Sequence, residues 1–493
     1  MQATRIKDDI SGFSYLSRQL DLQSGVGREL LSRARWYRKG EEPELLVELS
    51  RIERIKDLVR EGRTFTLEKL KRKFSQVLDI RGTFALLQKG DVDDVQLFEV
   101  KRFALLTRDC AAFVSELTRD CAFHPAPAGF PDLGEVVSIL DPRNENLPAF
   151  YIYDEYDALL ARKRKEIQVL SSSGTDEETM GKIASLQEEC LALEQGVRLE
   201  LARRLSAHVD ALQESMRLVA YWDLLTAKAY MAAGYGMVMP RLQEPSVPVR
   251  LRYKGLFHPM VKRILEEKGH RYQRIDVSLQ KGPCLLTGAN MSGKTVLLKS
   301  IALSQCLLQS GFLVPAEEAD MVLFDRVELL VQDGQDEERG LSSFGAEMQR
   351  LNTVFGQLRQ GVDTLLLVDE LARTTNPDEG KAIVCAVLES LQSLPCVAMV
   401  STHYGPVPNP VRRLRVRGFR QDWLTGRMAE TLVAPQDMES RFDISHIQSC
   451  MDYSLTEEES GGKPPAEALR IAGLLGFDAE VLALAGKYLE RRI

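Results

Sequence analysis

Eight residues in the second half of the chain have the spacing of a phosphate-binding loop. They fit the pattern GxxxxGK[ST] and are Gly288-Ala289-Asn290-Met291-Ser292-Gly293-Lys294-Thr295. The apolar run 283–287 before them predicts a buried strand, and 296–302 after them predicts a helix. In that setting, backbone N–H groups and the helix N-terminus capture phosphate oxygens. We expect Lys294 to reach the terminal phosphates and Thr295 to offer its hydroxyl to Mg²⁺.

Two adjacent carboxylates follow another apolar run. Residues 364–368 predict a central parallel strand, buried on both faces, and Asp369 and Glu370 come at its carboxyl end. Ligands of open α/β sheets bind at that edge. Asp369 is therefore expected to hold the Mg²⁺ shell, and Glu370 to act as general base toward water. The strand 397–402 delivers His403. A lone histidine is usually packed or solvated, but at this strand end it resembles a switch that senses the γ-phosphate.

These motifs, in this order, resemble the ATPase domain of the MutS family. The other matching segments are Phe257-His258-Pro259, 311–316 (GFLVPA), 342–348 (SSFGAEM), 369–375 (DELARTT) and 402–404 (THY). The similarity covers about 250–490 strongly and about 10–245 weakly. Two departures stand out. The loop has Ser-Gly-Lys-Thr at 292–295 where the family has Gly-Gly-Lys-Ser, and Ala-Arg-Thr-Thr-Asn at 372–376 where the family has Gly-Arg-Gly-Thr-Ser. Neither removes a phosphate or metal ligand, but the second is expected to alter cross-talk between subunits.

The resemblance implies an ABC-type arrangement in which two chains form a composite site, so a homodimer is expected. Each chain would bind ATP and Mg²⁺ with its own loop, while a serine of the partner, Ser342 or Ser343, meets the γ-phosphate. These serines also suit a helix N-cap, and Glu347 would lie on the helix that they open. By position, His270 and Tyr272 are the candidates for a platform under adenine, although either equally suits an ordinary surface residue.

Composition narrows the class of protein. With 493 residues and 44% hydrophobic content, the chain can form two or more domains with substantial cores. It has no apolar run of roughly 18 residues and no signal-peptide core at its start, so a cytoplasmic protein without a membrane partner is expected. The eight cysteines include no C-x-x-C pair, so neither zinc nor a disulfide framework is indicated. The net charge of −7 does not support a surface coated for nucleic acid.

The first half predicts a mostly α-helical core and lever domain, 1–245. Residues 21–31 resemble the opening of the MutS core domain. The family's mismatch-reading and connector domains would precede this point, so both are expected to be absent. A long helical hairpin is predicted over about 155–232, with its turn at 171–175. If its return arm is continuous to Ala232, that arm is on the order of 70 Å long.

The tip of the predicted hairpin indicates whether the chain is suited to contact DNA. In the family, such levers carry a clamp that touches duplex DNA. Here the tip has no room for a clamp, and the acids Asp176, Glu177 and Glu178 follow it, which is the wrong charge for phosphate contact.

The second half predicts an ATPase domain of ABC type, 246–450, and a C-terminal helical dimerisation arm, 451–493. Two short helices in the arm, 464–475 and 478–489, suggest helix–turn–helix, but the acidic and aliphatic second helix favours packing over DNA reading. Arg413, Arg415 and Arg417 alternate with apolar residues, which predicts a strand with one basic face. That face suits either a phosphate or acidic-partner contact or a solvated edge strand.

The predicted fold class is therefore an α/β P-loop ATPase domain of ABC type, preceded by a mostly helical core and lever domain. Two functional hypotheses follow for its client. One is remodelling of a protein, because trimmed MutS-like chains resemble the reactivase ATPase of adenosylcobalamin-dependent lysine or ornithine aminomutases. The other is a DNA-acting enzyme of the mismatch-repair superfamily. The acidic composition and the missing DNA modules favour the first, whereas family precedent favours the second. DNA binding is expected to be weak.

Overall fold

The computed structural model describes residues 11–173, 176–244, 246–289, 292–331, 343–404, 407–419, 451–458 and 477–490, with 469 and 472. Its helices are α1 (Ser11–Gln19), α2 (Gly25–Ser32), α3 (Glu42–Arg60), α4 (Phe65–Phe74), α5 (Arg81–Lys89), α6 (Asp94–Cys121), α7 (Gly134–Leu140), α8 (Ala158–Ser173), α9 (Glu177–Ser206), α10 (Val209–Tyr235), α11 (Pro259–Glu267), α12 (Lys294–Gln309), α13 (Ser343–Arg359), α14 (Pro377–Leu391) and α15 (Ala479–Glu490). Its strands are β1 (Arg241–Leu242), β2 (Val249–Leu256), β3 (Ile275–Gln280), β4 (Gly282–Thr287), β5 (Glu318–Met321), β6 (Arg326–Leu330), β7 (Thr364–Val368), β8 (Cys396–Ser401), β9 (Arg412–Phe419) and β10 (Met451–Glu457). Within these ranges, no helix has both the length and the apolar character needed to cross a bilayer.

The chain forms two compact units. One comprises the described residues of Met1–Gln19, Arg35–Glu53 and Met231–Ile493, and the other comprises Leu20–Ala34 and Arg54–Tyr230. The predicted boundary at 245 differs from this division, because Arg35–Glu53 and the residues from Met231 onward group with the sheets. Helical periodicity shows which residues form a helix, but it does not show on which core that helix packs.

A six-stranded sheet dominates the first unit, in the order β10-β9-β4-β8-β7-β6. β4, β6, β7, β8 and β9 run parallel, and β10 is antiparallel to β9. Every residue of β7 and β8 is buried, as expected for uninterrupted apolar runs in the middle of a parallel sheet. The carboxyl ends of β4, β7 and β8 therefore lie side by side at one edge. The α/β class predicted from the sequence is confirmed at this level.

Strand β10 changes the predicted domain organisation. The sequence analysis begins a helical arm at residue 451, whereas the structure places Met451–Glu457 in the sheet, paired with β9. Of the two helices predicted in that arm, the second is present as α15. The first, 464–475, lies outside the described residues apart from 469 and 472.

A second sheet of four strands belongs to the same unit, in the order β1-β5-β2-β3. β2 is antiparallel to both neighbours, β3 and β5, and β1 runs parallel to β5. One residue, Lys281, separates β3 of this sheet from β4 of the larger one. The strand that leads into the phosphate-binding loop therefore follows almost directly on a strand of the smaller sheet.

The helical unit contains the segment 21–31 that resembles the MutS core. Its helix α2 is capped by Ser24, whose hydroxyl accepts a hydrogen bond from Gly27 N at 2.9 Å. Buried Asp223 accepts hydrogen bonds from Ser24 N at 2.7 Å and Ser24 Oγ at 2.6 Å. Burial raises the pKa of Asp223, against these hydrogen bonds. A Cβ on Gly27 would lie 2.4 Å from Asp223 Oδ2, so the helix start requires glycine there.

The predicted lever helices are present, but the return arm is not one helix. α8 packs beside α9, and the guanidinium of Arg164 contacts the carboxylate of Glu194 at 2.8 Å. α9 ends at Ser206 and α10 begins at Val209, with a turn closed by His208 N donating to Leu205 O at 2.9 Å. The arm is therefore not continuous to Ala232, and the length on the order of 70 Å that depended on this condition does not apply. The apolar stripe gave no sign of the break because its spacing of three and four residues continues through it.

Candidate nucleotide-binding site

The phosphate-binding loop joins β4 to α12. Gly293 is the N-cap of α12 and has φ 85°. A Cβ there would approach the Tyr453 ring to 3.0 Å, so both the backbone conformation and the space require glycine. Gly288 has φ 145°, and a Cβ at this position would lie 3.0 Å from Oγ of Ser292. Asn290 and Met291 lie outside the described residues.

Lys294 lies inside this loop, with 4% of its surface exposed. Its ammonium donates hydrogen bonds to the carbonyl oxygens of Gly288 and Ala289, both at 2.8 Å. Ser292 is also buried, and within the described part of the chain its hydroxyl has no hydrogen-bond partner. Buried hydroxyls are rarely left unpaired. A phosphate oxygen in the loop would satisfy Ser292 and accept from Lys294, so these residues fit a bound polyphosphate.

Thr295 and Asp369, the two predicted metal ligands, lie together. Thr295 Oγ1 donates to Asp369 Oδ2 at 2.5 Å. The other carboxylate oxygen, Oδ1, accepts from Ser401 Oγ at 2.7 Å. The pair thus offers a hydroxyl and a carboxylate oxygen, which are ligands of the kind Mg²⁺ takes. Ser401, the last residue of β8, was not predicted as part of the site. Its position directly before Thr402 and His403 is the only sequence feature that pointed to it.

Glu370, the predicted base, has both carboxylate oxygens occupied. Nε2 of His403 contacts Oε1, and Arg373 donates to Oε2 at 2.5 Å. Burial acts to raise the pKa of Glu370. The hydrogen bond and charge of His403 outweigh it with the help of Arg373, so the pKa lies below the usual range. The structure therefore brings Glu370 and His403 together, as the strand ends predict. Each carboxylate oxygen has a second lone pair, so Glu370 can accept a proton from water while it keeps these partners.

The chain turns sharply after Glu370. Glu370 has φ 52° and Ala372 has φ 60°, both in the left-handed region that favours glycine. For residues with a Cβ this conformation costs about 1–2 kcal/mol each. Ala372 stands where the MutS pattern has its first glycine. This chain therefore forms the turn without the residue that would adopt the left-handed conformation at little cost in free energy.

Helix α13 begins at Ser343. Ser342 and the side chain of Ser343 lie outside the described residues, so their predicted contact with a partner's phosphate stays a prediction. Glu347, expected on this helix, is there and is 9% exposed.

The two predicted base-stacking residues lie after α11. The hydroxyl of Tyr272 accepts a hydrogen bond from His258 N at 3.0 Å, and burial raises the pKa of Tyr272. His270 is half-buried in the turn that ends α11, where its N–H donates to Leu265 O at 2.8 Å. Neither has a described hydrogen bond to the loop at 288–295. The aromatic ring that does touch the loop is Tyr453 on β10, whose N–H donates to Gln273 Oε1 at 3.1 Å. Nothing in the sequence links it to Gly293, some distance upstream.

The arginines of β9 do not form a basic face. Arg413 is 7% exposed and donates to the carbonyl oxygens of Val407 and Asn409. Arg415 pairs with Glu458 at 3.3 Å, and Arg417 lies 3.8 Å from Asp452. β9 lies between β4 and β10. The explanation as a solvated edge strand is therefore wrong, because β9 has a neighbour on each side. A phosphate or acidic-partner contact stays a prediction for Arg417, whose side chain is 58% exposed.

The sequence that forms this site is similar to that of known proteins. Residues 284–417 match the family model described as MutS domain V. This part of the chain is a MutS-family domain. Two similar proteins are an Endonuclease MutS2 of Leuconostoc mesenteroides, 26% identical over 62% of this chain, and the DNA mismatch repair protein MutS of Thermus aquaticus, 34% identical over 43% of it. These matches span 35% and 24% of the relatives' own lengths, so the MutS similarity is to a part of each relative.

Proposed function

We propose that this MutS-family chain binds ATP with Mg²⁺ and hydrolyses it to ADP and phosphate. The observation that carries the proposal is the meeting of five predicted residues at the carboxyl edge of the sheet. Lys294 and Thr295 start the helix after β4, the carboxylates Asp369 and Glu370 follow β7, and His403 follows β8. Three neighbouring parallel strands thus supply a phosphate cradle, oxygen ligands and a base, which is the set that phosphoryl transfer to water requires.

Each side chain has a distinct task in this proposal. The ammonium of Lys294 leaves the loop carbonyls and stabilises charge on the terminal phosphates. Thr295 and Asp369 would hold Mg²⁺ through their oxygens, and the ion would neutralise charge on the phosphates. Glu370 accepts a proton from the attacking water as the new P–O bond forms, and the bond from the γ-phosphorus to the bridging oxygen breaks toward ADP. His403 contacts Glu370 through Nε2. In the proposal, it exchanges this contact for one with the γ-phosphate.

The proposed enzyme is a homodimer with two composite sites, because the MutS resemblance assigns a serine at the start of α13 to the partner's nucleotide. We expect Lys294→Ala and Ser343→Ala proteins to be inactive alone and to recover activity when mixed. In a mixed dimer, one site carries both substitutions and the other carries none. If chains exchange randomly between twofold dimers, about a quarter of the wild-type ATPase rate should return.

The controls for this mixing experiment are the two single-variant proteins at the same total concentration. An absence of recovery, with mixed dimers shown by native mass spectrometry, would contradict independent composite sites.

For the client, we propose a protein partner that the lever helices move, such as an adenosylcobalamin-dependent aminomutase. Only residues 174–176 separate α8 from α9, which leaves no room for a DNA clamp at that tip. The residues around this turn include the acids Asp176, Glu177 and Glu178, which repel phosphate. The arginines of β9 are engaged within the protein, as described above.

A DNA client is the second candidate. The names of the relatives, an endonuclease and a DNA mismatch repair protein, favour it. Fluorescence anisotropy with homoduplex and mismatched DNA at roughly 150 mM salt separates the two. We expect micromolar affinity without preference for the mismatch. Arg417→Gln serves as the matched variant, because Arg417 is the most exposed of the three β9 arginines. If it touched phosphate, its loss would flatten the log–log salt dependence by about 0.9. Nanomolar binding with a tenfold preference for the mismatch would contradict a protein client.

A further inference from the structure

Four hydrogen bonds from neighbouring residues hold the backbone of the turn after β7. Glu370 N donates to Ser401 Oγ at 2.8 Å, and Leu371 N donates to Ser401 O at 3.2 Å. Ala372 N donates to Glu347 Oε1 at 3.3 Å, and Ala372 O accepts from the Tyr404 hydroxyl at 2.5 Å. Two left-handed residues within three positions persist only where their surroundings impose them. These four hydrogen bonds are the means by which the surroundings do so.

Glu347 is the unusual member of this group. It is the fifth residue of α13, and it is more than nine-tenths buried. One carboxylate oxygen serves Ala372 N, and the other, Oε2, has no hydrogen-bond partner among the described residues. Burial raises the pKa of Glu347. A buried carboxylate with one oxygen unpaired costs free energy, so packing alone does not account for a glutamate at this position.

The surroundings of Glu347 join three elements. Phe344 and Met348 of α13 pack on the same hydrophobic cluster as Leu371 and Ala372. Tyr404 packs on it too, and a Cβ on Gly380 of α14 would lie only 2.2 Å from its hydroxyl oxygen. The start of α13, the turn after β7 and the residue after His403 therefore form one packed assembly. A displacement of α13 would be transmitted to Ala372, two residues from the carboxylate of Glu370.

We propose that Glu347 is a positioning residue that holds Ala372 in its left-handed conformation and thereby directs the carboxylate of Glu370. This rests on the proposed function of Glu370 and extends it. Because α13 opens with the serine assigned to the partner's nucleotide, Glu347 links the site that this chain completes in its partner to the base of its own site. Tyr404 supports the same turn from the carbonyl side.

The test compares Glu347→Ala with Glu347→Gln, since glutamine keeps the oxygen that accepts from Ala372 N. Loss of this hydrogen bond releases the turn that directs Glu370, so the alanine protein should lose roughly 10- to 100-fold in kcat. Its KM for ATP should stay within about twofold, because Glu347 does not contact the phosphate-binding loop. The glutamine protein should recover most of kcat. Gln349→Ala, on the exposed side of α13, is the matched control.

A second measurement needs no ATP. Hydrogen exchange of the peptide containing 370–373 reports whether the turn is held. We expect faster exchange in Glu347→Ala and in Tyr404→Phe, and wild-type exchange in Glu347→Gln. Unchanged exchange in the alanine and phenylalanine proteins would overturn the proposal. So would a loss of kcat that glutamine does not restore. If exchange responds as expected while the wild type hydrolyses no ATP, the proposed function fails but the positioning contact stands.

Discussion

Replacing Lys294 with alanine is expected to abolish ATP binding and hydrolysis together. The ammonium is buried in the loop beside the carbonyl oxygens of Gly288 and Ala289, at the position where phosphates would enter. Hydrogen bonds to charged groups contribute about 1.5–3 kcal/mol each, and loss of transition-state charge stabilisation adds to this. We expect ATP affinity to fall by at least roughly 100-fold. Binding is measured with a fluorescent ATP analogue, and hydrolysis by phosphate release with and without Mg²⁺.

The matched control for this variant is Lys299→Ala. Lys299 is the same residue type on the same helix, α12, five residues beyond Lys294 and outside the loop. It should keep wild-type binding and turnover. If the Lys294 variant binds ATP as tightly as the wild type does, the nucleotide site lies elsewhere in the molecule.

Replacing Glu370 with alanine is expected to separate binding from chemistry. ATP should bind with near wild-type affinity, because no described hydrogen bond or ion pair joins the Glu370 side chain to the loop or to the side chains of Thr295 and Asp369. Turnover should fall by about 10²- to 10⁴-fold, the usual contribution of a general base. Rapid-quench measurement of a single turnover isolates the chemical step from product release. Glu379→Ala, an exposed glutamate on α14, is the control and should hydrolyse ATP normally.

The pH dependence provides a second readout for Glu370. Its pKa is held below the ordinary value of 4.5 by His403 and Arg373 against the effect of burial. The base therefore stays ionised as the pH falls to that value, and activity that depends on it is lost only below it. His403→Ala removes the main cause of the lowering, so the acid limb of the profile should move to higher pH. An alanine variant at 370 that retains the parental rate would disprove the assignment of the base.

Local sequence was sufficient to bring the candidate site together. Thr295 and Asp369 are 74 residues apart. Asp369 directly follows one predicted strand and Thr295 ends the loop that follows another, and parallel strands of one sheet align their carboxyl ends. The roles of these residues remain predictions, whereas their proximity is observed. The MutS resemblance is confirmed, because the match to MutS domain V over 284–417 contains every motif on which it was based except Phe257-His258-Pro259.

The sequence could not predict features that depend on distant partners. The segment 451–456 alternates between apolar and polar residues, but the sequence does not show that its partner is β9, which lies across the residues 420–450. Tyr453 reaches the loop only through that pairing. The bond from Ala372 N to Glu347 joins two motifs whose separate patterns say nothing of each other. The break between α9 and α10 was hidden because the apolar stripe runs through it unchanged.

The placement of β10 also affects the protein while it is being synthesised. Ribosomes add about 5–20 residues per second, and roughly 160 residues separate Gly293 from Tyr453. The phosphate-binding loop is therefore synthesised on the order of ten to thirty seconds before the ring that packs on it. Strand β9 is complete about 32 residues before β10 begins. For about two to six seconds of synthesis it therefore has an open side, the kind of unpaired strand to which other chains add. A nascent chain stalled before residue 451 would hold most of the proposed catalytic groups, yet it would be exposed to aggregation and would lack the strand that closes its sheet.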